Sequence, residues 1–497
     1  MARIDSPAGA TFATGTRLFV ALLAVAHAVA FGSIWVQAAG LIGPSGILPA
    51  GRFLAAASQQ LGPRAWFEAP SLCWVFGAGH FVDLLCGLGI GLALLLLFGY
   101  AQAACLGLLW ACYLSLVSVG QIFFDFQWDS LLLESTLVAI FLVPWTLGRS
   151  PGGYDPPRLA RYLIWWLLFR LMFFSGVVKL TSGDPSWWRL TALTFHYQTQ
   201  PLPTPLAWYA QQLPTWFQRA SCAVMFAIEL AAPLCIPAPR FLRHIGAVAL
   251  VSLQVAIGLT GNYAFFNLLS LGLCLTCLDD GWWLRIRRPE PSQAPAAGRA
   301  QAPARRPPAA ALRWFAALSV GVTFFESVAA VSAGAAASPI VRAVAEGVGP
   351  FRSFNDYGLF RVMTTERPEL VFEGSNDRTD WREYGFPYKP GDLSRRPRWV
   401  APHQPRLDWQ LWFAALYPPE ESPWVGTVCE LLLRGDAAVL GLFATNPFPG
   451  RPPAYMRVVR YRYEFTDAPE RARTGNWWRR TPIDFFIPPV SLPRDPR

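Results

Sequence analysis

The chain has 497 residues, of which 53% are hydrophobic and 15% charged, and it carries 35 Phe and 22 Trp. An ordinary soluble domain fits that balance poorly and a multi-span membrane protein fits it well, with length enough for two or three domains. The formal net charge of +10 does not point to nucleic acid, because the basic residues fall in short clusters between apolar runs and not on one stripe interleaved with aromatics.

Charge is also uneven along the chain. Phe351 to the end holds 39 charged residues, 21 basic and 18 acidic, against 35 in the first 350. The abundance of Arg, Ala and Pro beside only two lysines, Lys179 and Lys389, has the look of a GC-rich coding bias, a hint of a bacterial source that carries no chemistry.

A helix needs roughly 20 mostly apolar residues to cross a bilayer. In chain order such windows fall near 17–40, 72–97, 101–119, 131–147, 159–181, 217–236, 241–260, 263–283 and 311–334, the fourth and sixth being short or interrupted by charge. The first contains "AHAVA", which has the form of a signal-peptide cleavage site, but its apolar character continues to Leu41 and favours a retained span.

With nine spans and the N-terminus inside, the even-numbered connections are cytoplasmic, and arginine gathers there: Arg149, Arg158 and Arg161, then Arg240 and Arg243, then seven between Arg285 and Arg313. The predicted organisation is an α-helical polytopic membrane domain over 1–283, a Pro/Ala/Arg-rich cytoplasmic linker over 284–310, a last span over 311–334, and a C-terminal domain over 350–497 on the outer or lumenal side. In that tail, "PELVFEGSN", "REYGFPYK" and "RVVRYRYEFT" read as strands between turn signals and "LDWQLWFAALY" as a helix. The expectation is a β-rich domain of sandwich or jelly-roll type.

Eight of the nine cysteines lie in apolar segments, where Cys acts as a small hydrophobe, and only Cys429 lies in the tail, so the tail can hold no internal disulfide. Cys274 and Cys277 in "CLTC" have a metal or redox spacing but no second pair nearby, and read as neighbours on a buried helix face. No Gly-rich phosphate loop, paired-histidine metal motif or Gly-x-Ser-x-Gly elbow occurs. No cofactor and no metal site is predicted.

The unusual sequences gather in the outer connections: "GQIFFDFQWDSLLLES", "TSGDPSWWRLTALTFHYQTQPLPTPLAWY" and "LTGNYAFFN". An aromatic belt accounts for many of their rings and for none of their acids. Charges at membrane depth cost about 2.5–3.5 kcal/mol each on insertion scales, so Asp83, Glu134, Arg170, Lys179 and Glu229 must face protein or water. Arg170 pairs with Glu134 or Glu229. Lys179 either snorkels to the headgroups or sits in a cavity under the outer loops, where desolvation makes it a candidate base. Ser175 and Lys179 share a helix face, whereas Arg170 and Lys179, nine residues apart, point in opposite directions and serve different sites. His80 and Asp83, three apart, form a candidate hydrogen-bonded pair.

At these residues the chain resembles the lipase maturation factor family. The resemblance rests on "FQWDSLLLE" (126–134), "LLFRLMFFSGVVKLTSGDPSWWRLTALTFHYQTQPLPTPLAWY" (167–209), "IEL", "GN" and "CLDD" between 228 and 280, "EGSNDRTDWREYGFPYKPGD" (373–392) and "PHQPRLDWQLWFAALY" (402–417). It implies a multi-pass membrane protein, of the endoplasmic reticulum in eukaryotes and of the inner membrane in a bacterium, that helps secreted lipases or other exported clients reach their active form. A polar cluster in the membrane domain is expected at Trp128, Asp129, Glu134, Arg170, Glu229 and Asn262. The resemblance also bears on the tail. It puts client binding in the tail, at Glu373, Asp377, Trp381, Tyr384, Asp408 and Trp409. A second, more distant similarity, to the membrane domain of vitamin K-dependent carboxylase-like proteins, rests on the aromatic run leading through Ser-Gly to Lys179. It implies an enzyme in which Lys179 is the base, with His196 or Asp184 assisting.

Overall fold

The computed structural model describes residues 11–151, 153–287, 305–331 and 339–493. Helices form at each of the nine apolar segments: α1 (Ala13–Trp35), α2 (Phe81–Leu97), α3 (Gln102–Val119), α4 (Gln127–Leu142), α5 (Arg158–Thr181), α6 (Thr215–Ala231), α7 (Arg240–Thr260), α8 (Phe266–Leu275) and α9 (Ala309–Val331). By length and composition five of them, α1, α3, α5, α7 and α9, are long and apolar enough to cross a membrane. The other four have 17, 16, 17 and 10 residues, so nine full spans are not reached on length.

The shortening has local causes. Gly77, at φ +77°, separates a one-turn helix at Cys73–Phe76 from α2. Val143 is extended because Pro144 follows it, which ends α4. Pro214 and Pro233 bracket α6. Most of the predicted linker lies outside the described residues.

The connections alternate between two ends of the bundle. At one end Asp279 pairs with Arg240 at 2.7 Å and with Arg243 at 3.6 Å, Asp280 accepts from the backbone N–H of Thr14 at 2.8 Å, and the Trp145 N–H donates to the Arg305 carbonyl at 2.8 Å. This is the arginine end. At the other end the Asn262 amide donates to the Leu202 carbonyl at 3.1 Å and Gln121 to that of Leu48 at 3.1 Å. The tail packs on this second end.

The tail carries β1 (Arg367–Ser375), β2 (Arg382–Glu383), α10 (Arg406–Leu416), α11 (Trp424–Arg434), β3 (Tyr455–Phe465) and β4 (Trp478–Val490). The strands form one antiparallel sheet in the order β2-β1-β3-β4, with Phe372 opposite Val458. On one face Leu370, Phe372, Met456, Val458 and Phe486 join Leu407 and Leu411 of α10 and Val428 and Leu432 of α11 in a common core.

The expected sandwich or jelly roll does not form. Helices take the place of a second sheet, and "REYGFPYK" supplies only the two residues of β2, since Pro387 and Pro390 withdraw ladder donors. β4, unforeseen, contains Pro482, Pro488 and Pro489, which an edge strand tolerates.

Asp408, in the first turn of α10, is fully buried and accepts from the backbone N–H groups of Tyr388 at 3.0 Å and Lys389 at 2.7 Å. Burial outweighs those bonds and raises its carboxyl to about 6. The folded state therefore holds this proton more tightly than the unfolded chain, whose Asp titrates near about 3.9. The resulting stability is complete below about pH 4 and is lost as pH rises through about 6, a span of about 3 kcal/mol at about 1.36 kcal/mol per unit. Asp408→Asn keeps an acceptor for both N–H groups. It is expected to remove that fall, read as the difference between wild-type and variant thermal unfolding of the full chain from pH 4 to 7.

Candidate functional site

Two polar clusters join the tail to the membrane domain, each built around an acid of α4. Asp129 meets Arg406 of α10 through two hydrogen bonds of 3.0 Å, and the Tyr113 hydroxyl of α3 donates to the same carboxylate. Arg406 also stacks on Phe124, 3.6 Å from the ring centroid. One turn and a half on, Glu134 is bonded by Arg170 of α5, by the Asn355 amide at 2.9 Å and by the Tyr357 hydroxyl at 2.8 Å. Of the two partners open to Arg170 in sequence, Glu134 is the one it takes. Asn262, in the seventh connection, accepts from the Val400 N–H at 2.8 Å and donates to the Arg398 carbonyl at 2.9 Å, so it holds a tail segment. Trp128 crosses Trp409 of α10 edge-on, with centroids 4.6 Å apart.

Glu229 stands apart from that cluster. It receives both of its bonds from Lys179, 2.8 Å to each oxygen. Gly176 eases this contact: a Cβ there would stand 2.8 Å from the end of the Leu230 side chain and 3.2 Å from the Glu229 Cβ, so a larger residue would require those side chains to shift. Lys179 does not reach the surface.

The pair lines a cavity of about 410 Å³ between α5, α6 and α7, roofed by the short helix Leu193–Thr199 and by Phe360. His196, also predicted from sequence, lines the same cavity. Its partner is Tyr263, whose hydroxyl lies 3.1 Å from Nε2 and 2.7 Å from the Gln200 Oε1. Gln200 Oε1 can only accept, so the Tyr263 proton goes there, and Nε2–H of His196 must donate to Tyr263. Nδ1 is then the bare nitrogen. Burial, helped by the Lys179 charge, holds the His196 pKa down at about 4, so the ring is neutral at physiological pH.

Asp184 lies elsewhere. It caps the turn at Pro185–Trp188 by accepting from the Ser186 N–H at 2.8 Å and ties the tail by accepting from the Met363 N–H at 2.6 Å. Among the described residues no group of three or more His, Cys, Asp or Glu is placed to hold a metal ion.

The tail residues predicted to bind a client divide. Glu373, Tyr384, Asp408 and Trp409 are buried: Glu373 pairs with Arg457 at 2.6 Å, and Trp409 packs against Phe126, Trp128 and Tyr263. Their side chains hold the domain together and are not presented at its surface. Asp377 is exposed and Trp381 half-buried, both in the turn between β1 and β2. Beside them the Arg457 guanidinium stacks 4.1 Å from Trp381 and 5.5 Å from Phe485, whose ring is 54% exposed. Sequence reasoning missed Phe485, since prolines hid β4, and missed Arg457, which begins the strand-like run "RVVRYRYEFT" but was not singled out there. It also missed Arg406, for which a lone arginine in "PHQPRLDW" was the available signal.

Two family models match the chain: the lipase maturation factor transmembrane domain over residues 14–285 and the lipase maturation factor C-terminal domain over residues 353–488. Lipase maturation factor 2 of Mus musculus is 37% identical, covering 96% of this chain and 83% of its own length, and that of Homo sapiens is 36% identical over 96% and 82%. Lipase maturation factor 1 of Mus musculus is 34% identical over 98% of this chain and 89% of its own length. No solved structure matches the chain.

Arg406→Met leaves the buried Asp129 carboxylate without its cation, a loss of about 3–5 kcal/mol. Asp129→Asn in the same chain is expected to recover most of it. Thermal unfolding in detergent of both single variants and the double variant checks this, and additive losses would contradict a direct pair.

Proposed function

The chain belongs to the lipase maturation factor family, and we propose on that footing that it is a membrane-embedded maturation factor for exported proteins, with secreted lipases as the client class. What carries the reading is that both family domains are matched and that the tail is fastened to one end of the helical bundle by Asp129–Arg406 and Glu134–Tyr357. The proposed topology has nine passes, the four short helices completing theirs with flanking turns. The arginine end then faces the cytosol and the tail faces the compartment into which clients are exported. That compartment is the endoplasmic reticulum lumen in a eukaryote and the periplasm in a bacterium, with the protein in the adjoining membrane.

Client contact is proposed at the surface around Asp377, Trp381 and Phe485, where an aromatic patch is stiffened by the Arg457 guanidinium. Aromatic and arginine side chains are the commonest anchors of protein interfaces. A second reading makes the chain a membrane enzyme with Lys179 as base. The observation in its favour is that Lys179, Glu229 and His196 line one cavity. Against it, two hydrogens of Lys179 are engaged by Glu229.

The test is co-expression with a secreted lipase in cells lacking their own maturation factor, reading lipase activity per unit of lipase secreted. Trp381→Ala with Phe485→Ala is expected to lower it by about tenfold or more, the effect of losing one interface hot spot of about 2 kcal/mol, while the variant reaches the membrane in normal amount. Unchanged activity sinks the client surface. Lys179→Arg preserves a cation and removes a base, so full activity in that variant eliminates the enzymatic reading.

A further inference from the structure

The cavity between α5, α6 and α7 has a polarity that the maturation role leaves unused, and its atoms specify what fits. Lys179 gives two of its three N–H bonds to Glu229, and among the described residues the third has no hydrogen-bond partner. His196 offers a bare Nδ1. The site thus presents one donor and one acceptor, toward the tail end of the cavity. Leu171 and Met172, two turns along α5 from Lys179 and about 11 Å deeper at 1.5 Å per residue, line its apolar part with Leu253 of α7.

Charge is already balanced there, Lys179 against Glu229, with His196 neutral. An ionic headgroup would bring an uncompensated charge into a buried site, which is costly. A hydroxyl accepts and donates at once and brings no charge. Access is from the bundle's flank: Phe217 of α6, 42% exposed, and Ala256 of α7, also exposed, both line the cavity, so it opens between those two helices. The faces beside that opening are apolar, with Val224, Val255 and Leu259 exposed. A volume of about 410 Å³ lies within the usual range for small-molecule sites.

We propose that this cavity binds a neutral, hydroxyl-bearing lipid of the monoacylglycerol type, entering from the bilayer between α6 and α7, its hydroxyl accepting from Lys179 Nζ and donating to His196 Nδ1. The proposal stands apart from the client reading and needs no reaction.

The test uses the full chain in phosphatidylcholine nanodiscs doped with one of three photoactivatable, alkyne-tagged probes: a monoacylglycerol, a fatty acid or a phosphatidylcholine. The monoacylglycerol is expected to label peptides of α5, α6 and α7 about fivefold more than either other probe, the discrimination given by one hydrogen bond of about average strength. Untagged monoacylglycerol should displace it. Ala256→Trp, which fills the opening, should reduce the labelling by a similar factor, whereas Val224→Trp, on the exposed face of α6, should not. His196→Phe removes the acceptor and should erase the preference over the fatty acid while labelling persists. Equal labelling by all three probes, preference for the fatty acid, or labelling that neither untagged lipid nor Ala256→Trp reduces would overturn the proposal. If Ala256→Trp does not fold, displacement from the native chain decides it.

Discussion

A charge buried among apolar helices has to be met by another group, and in this protein the partners come from far away in sequence. Asp129 on α4 finds its cation on α10 at Arg406, and Glu134, five residues later, takes Arg170 from α5 together with Asn355 and Tyr357 from the start of the tail. Removing the tail would leave Asp129 with only the Tyr113 hydroxyl, in surroundings where an unpaired carboxylate is costly. The membrane domain is therefore not electrostatically complete without the C-terminal domain, which the two acids fasten to this end of the bundle. The same constraint accounts for the two buried acids of α4, which an aromatic belt alone would not require.

This also sets what was legible in the chain. Apolar windows located the helices α1 to α9, because hydropathy is a local property. It could not set their lengths, which Gly77 limits in α2, Pro144 in α4 and Pro214 with Pro233 in α6. The cost of a charge at membrane depth flagged Glu134, Arg170, Lys179 and Glu229, and helical spacing correctly separated Arg170 from Lys179. Which acid each would take depended on which helices pack side by side, and the close approach of α6 to α5 at Gly176 brings Glu229 to Lys179. In the tail, period-two alternation found β1 and β3 and the run "LDWQLWFAALY" gave α10, while the proline-bearing edge strand and α11 stayed hidden.

The motif-rich tail residues divide for a related reason. Trp409 and Asp408 stand in a dense run of distinctive residues, the appearance of a binding surface. Yet α10 lies between the sheet and the bundle, so its distinctive side chains face protein on both sides: Asp408 caps Tyr388 and Lys389, and Trp409 fills the gap beside Trp128. A helix that seals two domains together needs as specific a sequence as one that binds a partner. What separates the two is exposure, and of the six tail residues singled out in sequence only Asp377 and Trp381, in the turn beside Phe485, are not buried.

The two lysines show the same principle at its most local. Arginine supplies nearly every cation in the chain, but Lys179 and Lys389 are both buried and both set against a glutamate. Lys389 Nζ lies 2.9 Å from one oxygen of Glu369 and donates to the Leu370 carbonyl at 3.0 Å, while the other oxygen of Glu369 takes Arg367 at 2.7 Å. A second guanidinium there would bring a planar fork of five donors to a carboxylate already approached by one. An ammonium brings three donors from one point. At Lys179, which lines the cavity, the compact head is centred on both oxygens of Glu229, and among the described residues its third hydrogen has no hydrogen-bond partner. A guanidinium could engage the same carboxylate side by side, but its extra width would extend into the space lined by Trp187 and His196. Lysine at this position thus satisfies the buried glutamate and keeps the cavity open, two demands that arginine could not meet together.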